Sequence, residues 1–128
     1  MAMRQDIRFD EELSKLDASL RSEDNVVARL QLAAFELQLS GYVSGEERVL
    51  FPAFERLDST PRAYTETMRK EHGSMRCLVT RIWAALDRAD HRRGLELVGA
   101  LRSVLLLHVT KEDWFLYPPH SRARKARR

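Results

Sequence analysis

The chain holds a single cysteine, Cys77, in 128 residues, so no internal disulfide forms and a reducing setting such as the cytoplasm is expected. Glycine and proline are scarce, at five and four residues, while Leu, Ala, Glu and Arg are frequent; the mix favours helices over strands. No apolar run approaches the ~18 residues that cross a membrane. The opening stretch MAMRQDIRFDEELSKL lacks the apolar segment of a secretory signal, and none is expected there. Phosphate-loop, catalytic-triad and zinc-ribbon spacings are also missing, which leaves hydrolase and nucleotide-binding readings without support.

What is present is charge, 32% of all residues, with a formal net charge of +3. Five of the 22 basic residues sit in the last eight positions, SRARKARR. The remainder is mildly acidic, so residues 121–128 read as a basic tail on a single domain spanning 1–120. A solvated terminus explains such a tail, and nucleic acid is not an expected partner.

Apolar residues recur at helical spacing in four stretches. The first runs from about Arg8 to Arg21, with Ile7, Leu13, Leu16 and Leu20 on one face. The second runs from about Asn25 to Leu57; Gly41 and Gly45 weaken it and Pro52 loosens its last turns. Thr60 and Pro61 supply a cap and a first helical residue for the third, which ends near Arg88. A turn near Asp90 to Gly94 precedes the fourth, from about Leu95 to Tyr117. Short turns make consecutive helices antiparallel, so the expected fold is an all-α, up-down-up-down four-helix bundle.

The two halves resemble each other, as expected of two helical hairpins related by a pseudo-twofold axis. Glu46-Glu47-Arg48-Val49-Leu50-Phe51-Pro52 aligns with Glu112-Asp113-Trp114-Phe115-Leu116-Tyr117-Pro118, and Tyr42 with His108. At the helix starts Asp10, Leu13, Leu16 and Leu20 are set against His72, Met75, Leu78 and Ile82, which requires four extra residues in the second half. Polar members of the repeat stand on apolar faces: Asp10, Glu46, His72, His108 and Glu112. Buried carboxylates without partners cost several kcal/mol each, and no inward Lys or Arg is evident, so a shared cation is expected at one end of the bundle. His108 and Glu112 lie one helical turn apart, as do Tyr42 and Glu46. Imidazoles and carboxylates on facing helices suit iron or manganese, and zinc less well, since no cysteine cluster is present.

His108-Val-Thr-Lys-Glu112 with Leu116-Tyr117-Pro118, Glu71-His72, and Glu46 with Leu50-Phe51-Pro52 resemble the motifs of the hemerythrin-like HHE cation-binding domains over roughly residues 9–118. The resemblance implies a bundle holding one or two non-haem iron ions that binds or senses dioxygen, peroxide or nitric oxide, or handles iron. Its metal ligands would be Glu46, His72, His108 and Glu112, joined by Asp10 and Tyr42. The last two depart from the pattern, which has histidine at both places. A tyrosinate at Tyr42 would favour ferric iron, and a hydrogen bond from Tyr42 to Glu112 or Glu46 is the alternative. Asp10 has the alternative of acting on the helix dipole.

Glu47 and Asp113 are expected at the edge or in solvent, His91 on the surface and Cys77 as an inert buried thiol. An exposed part of the Leu- and Trp-bearing faces would support a homodimer. The competing functional reading is a metal-depleted hemerythrin-like bundle serving as a protein-interaction or regulatory module. Oxidase or peroxidase activity at the same centre is a third reading.

Overall fold

The computed structural model describes residues 2–57 and 62–115, with side chains over 8–57 and 62–113. The basic tail, Thr60 and Pro61 lie outside these residues. The elements are α1 (Ala2–Arg21), α2 (Asn25–Gly45), a π-helical turn (Glu46–Leu50), α3 (Phe51–Glu55), α4 (Arg62–Asp87) and α5 (His91–Phe115). α2, the π turn and α3 follow without a break, so the described residues form four helical rods. α1 packs on α2, α2 on α4, α4 on α5 and α5 on α1, closing the expected four-helix ring. No described helix is long and apolar enough to cross a membrane.

Two tight turns are built alike. Glu23 and Ala89 adopt left-handed backbone angles, φ 56° and 55°, and end α1 and α4. Asp24 and Asp90 then cap the next helices, their carboxylates accepting from the backbone N–H of Val27 and Arg93 at 3.2 and 3.1 Å. The second turn is thus tighter than expected, and α5 starts at His91 rather than Leu95. His91 is partly buried, with Nε2 2.7 Å from Oδ1 of Asn25.

Asn25 and His91 occupy equivalent places, 66 positions apart, and that offset holds throughout the core. Buried Phe9, Leu13, Leu16 and Leu20 correspond to buried Met75, Val79, Ile82 and Leu86, while Ala28, Leu32, Phe35, Leu39 and Val43 correspond to Gly94, Val98, Leu101, Leu105 and Val109. The pseudo-twofold repeat therefore needs no extra residues, and the alignment of Asp10 with His72 is out of register. Residues three and four positions before Leu13 flank the same helix face, and the apolar one goes inside. Phe9 is buried and Asp10 faces water. Cys77, two positions past buried Met75, is likewise turned outward and exposed, contrary to expectation.

Candidate metal centre

The second rod changes its winding where Glu46 enters the core. The backbone N–H of Phe51 bonds the Glu46 carbonyl, an i to i+5 bond. Pro52 explains the location: its ring would clash with the carbonyl four residues back in a regular α turn, and the wider π turn comes immediately before it. The turn lets adjacent acids grasp one ring. Glu46 Oε1 lies 2.7 Å from Nε2 of His72, and Glu47 Oε2 lies 2.7 Å from its Nδ1. Phe51 stacks beneath the same imidazole, with centroids 5.5 Å apart.

His108 reaches the same point from α5. Its Nε2 is 3.2 Å from Nε2 of His72, 3.0 Å from Glu46 Oε1 and 2.8 Å from Glu112 Oε1. Its Nδ1 is 2.9 Å from Glu71 Oε1. Each imidazole thus turns Nδ1 to a carboxylate and Nε2 to the shared centre. Nδ1–H donors at Glu47 and Glu71 leave both Nε2 lone pairs convergent, the usual orientation of metal-ligating histidines. Arg76 holds Glu47 at 3.3 Å, and Lys111 pairs with Glu71 at the rim.

Glu46, His72 and His108, all buried, offer ligand atoms within 4.8 Å of one another. The 2.7–3.2 Å separations match the ~3 Å edges of a coordination polyhedron with metal–ligand bonds of ~2.1 Å. Glu46 Oε2 is buried and has no hydrogen-bond partner among the described residues. Unsatisfied buried oxygens are rare in folded proteins, and a cation would satisfy this one. The residues present therefore fit a metal ion.

Charge points the same way. Four carboxylates (Glu46, Glu47, Glu71 and Glu112) face two basic groups, Arg76 and Lys111, leaving two negative charges when the imidazoles are neutral. Without a cation, protons compensate. Burial disfavours the imidazolium of His108, but hydrogen bonds to Glu112 and Glu46 outweigh it and raise its pKa to about 10. Burial also raises Glu112, and the neighbouring Glu46 charge adds to the effect. Burial would raise Glu46 too, yet its bonds to His108 and His72 prevail and hold it below the usual carboxylate range.

Tyr42 stands at the edge of the group as the hydrogen-bonded alternative. Its hydroxyl donates to Glu112 Oε1, and its ring meets those of His72 and His108 edge-on at 6.3 and 6.1 Å. Burial, then the charges of Glu112 and Glu46, push its phenol far above the usual value, so it stays protonated in the cation-free protein.

Asp10 is not brought to the centre. Its carboxylate binds Arg102 at 2.8 and 3.1 Å, with 59% of the side chain exposed. Asp10→Asn is accordingly expected to leave cation affinity unchanged and to shift stability by less than ~1 kcal/mol, checked by metal titration and urea denaturation. In the 66-residue register the counterpart of His72 is Asp6, whose side chain lies outside the described residues. Glu47, expected at the edge or in solvent and found at the edge, and Glu71, quoted only as part of a motif, are the partners whose role sequence reasoning missed. Their signal was adjacency: each sits beside Glu46 or His72, and ligating histidines generally need a carboxylate or carbonyl behind them.

No curated protein and no solved structure matches the chain. The model of the hemerythrin HHE cation binding domain matches residues 3–125. With nearly the whole length matched, and buried histidines and glutamates gathered at one centre, the chain belongs to the hemerythrin HHE cation-binding domain family.

Proposed function

We propose that the protein holds one non-haem iron ion at this centre and uses it to bind or sense a small oxidant (dioxygen, peroxide or nitric oxide) or to buffer iron in the cytoplasm. The observation that supports the reading best is the unpartnered Oε2 of Glu46 beside two convergent imidazole nitrogens. His72, His108, Glu46 and Glu112 would hold the ion. Mixed imidazole and carboxylate donors suit iron, which also prefers about six ligands and so leaves room for an exogenous one. Iron would supply reversible redox and ligand-binding chemistry. The protein's own residues orient the imidazoles through Glu47 and Glu71, place the Tyr42 hydroxyl as a donor beside the centre, and exclude bulk water. With both histidines 0% exposed, only small molecules suit the site.

The test is metal content of protein expressed with iron, alongside binding measured at several pH values. About one iron per chain is expected. Cation uptake must expel the His108 proton, held up to pH about 10, and part of the proton on Glu112. Affinity should therefore rise by between one and two powers of ten per pH unit around neutrality, with matching proton release in a weakly buffered titration. Folded protein that takes up no iron, or whose uptake is independent of pH, would remove this reading.

A further inference from the structure

The outer face of α2 is apolar and carries no charge. Val26, Leu30 and Leu37 are 71, 68 and 76% exposed, and exposed Ala33, Ala34 and Gly41 complete the stripe. Val27 and Ser40 border it. α2 has only two charged residues, Arg29 and Glu36, and both lean toward α4: Arg29 pairs with Asp87 and Glu36 accepts from Trp83 Nε1. A helix apolar on its outer face as well as its inner one is normally covered on both.

The fold does not demand this face. The repeat supplies an internal comparison in α5, where the counterparts of Val26, Val27, Leu30 and Leu37 are Arg92, Arg93, Glu96 and Ser103, all exposed. At these four positions the same architectural place is thus polar in one half and apolar in the other, whereas further along the counterparts of Ser40 and Gly41 are exposed Leu106 and Leu107.

We propose that α2 is the interface of a homodimer, in which two copies pack antiparallel about a twofold axis between Ala33 and Ala34. In that register the Ala33–Ala34 pair lies against its own copy across the axis, so that the two Ala34 approach each other, while Leu30 meets Leu37 and Val26 meets Gly41. Any helix face repeats with such spacing; the residue types are specific here. Two alanines at the centre let the backbones approach closely, and Leu30 of each copy packs against Leu37 of the other, the reciprocal pairing that a self-complementary interface requires. The stripe offers on the order of 500 Å² per copy, about 1,000 Å² in the pair, which meets the minimum for a specific interface before any polar rim is added. The proposal is independent of the metal reading.

The full-length chain, of 14.9 kDa, should sediment as a dimer. Leu30→Glu places two carboxylates in the apolar interface and should weaken dimerisation by at least roughly a hundredfold with an unchanged helical spectrum, since Leu30 touches solvent in the monomer. Leu106→Glu, exposed on α5, should leave the dimer intact. In a Cys77→Ser background, Ala34→Cys should cross-link the two copies on oxidation. A chain that is monomeric at about 100 µM, or a dimer that survives Leu30→Glu, overturns the proposal. Loss of the dimer in Leu30→Glu without cross-linking through Ala34→Cys overturns the antiparallel register.

Discussion

His108→Ala is expected to cut bound iron from about one ion per chain to less than about a tenth, because it removes one of two imidazole donors and leaves α5 with Glu112 alone at the centre. It should also destabilise the cation-free protein by about 3–5 kcal/mol at pH 7, read as a fall in Tm of roughly 10–15 °C. The cause is electrostatic. The imidazolium of His108 lies between Glu46 and Glu112, and removing it leaves buried carboxylates facing each other without a positive charge. The pH dependence distinguishes this from simple loss of packing. His108 has its pKa raised to about 10, so its contribution is fully present below the ordinary histidine range and is lost as pH rises toward 10. The difference between wild type and His108→Ala should therefore be greatest below about pH 6.5 and shrink steadily as pH rises toward 10. A variant that keeps its iron, or a penalty that does not change with pH, would contradict the arrangement of charges described above.

Phe9→Ala is expected to be as damaging to the fold by a different route. Phe9 is 1% exposed, meets Phe35 edge-on at 5.5 Å, and meets Tyr42 at 5.4 Å. Truncation leaves a cavity between α1 and α2 and should cost about 3–5 kcal/mol. Urea denaturation should show a lowered midpoint at unchanged slope. The site should feel it too, since the Tyr42 ring that donates to Glu112 rests on Phe9. Phe9 and Asp10 make a sharp comparison: adjacent residues, one expected to cost several kcal/mol and the other almost nothing. A mild Phe9→Ala phenotype would mean that the first helix contributes little to the core.

The helices were legible because their apolar residues recur every three or four positions and their ends carry local signals. The polar stretch around Asp24 marked a turn as expected and Pro52 forces an irregular turn close to where loosening was expected, but the cap at Asp90 went unread and α5 starts four residues earlier than expected. The gathering of Glu46, His72, His108 and Glu112 was legible because polar groups on apolar faces must find partners in one place. Asp10 was misplaced because an alignment by residue likeness admitted a shift of four positions. On a helix that shift keeps a residue near the same face while exchanging the inward and outward flanks. Cys77 was misjudged for a related reason: chemical type suggested burial, and the helical angle from Met75 decided otherwise.

The sequence by itself determined the bundle, the existence of a repeat and four of the residues that meet, Glu46, His72, His108 and Glu112, because periodicity and solvent exclusion act through composition and spacing alone. The tertiary structure decided which nitrogen of each histidine faces the centre, that Glu47 and Glu71 stand behind the imidazoles, and that Tyr42 serves Glu112 as a donor. These depend on contacts between rods far apart in the chain, where an ångström of displacement turns a hydrogen bond into none. Only packing of the complete ring sets such distances.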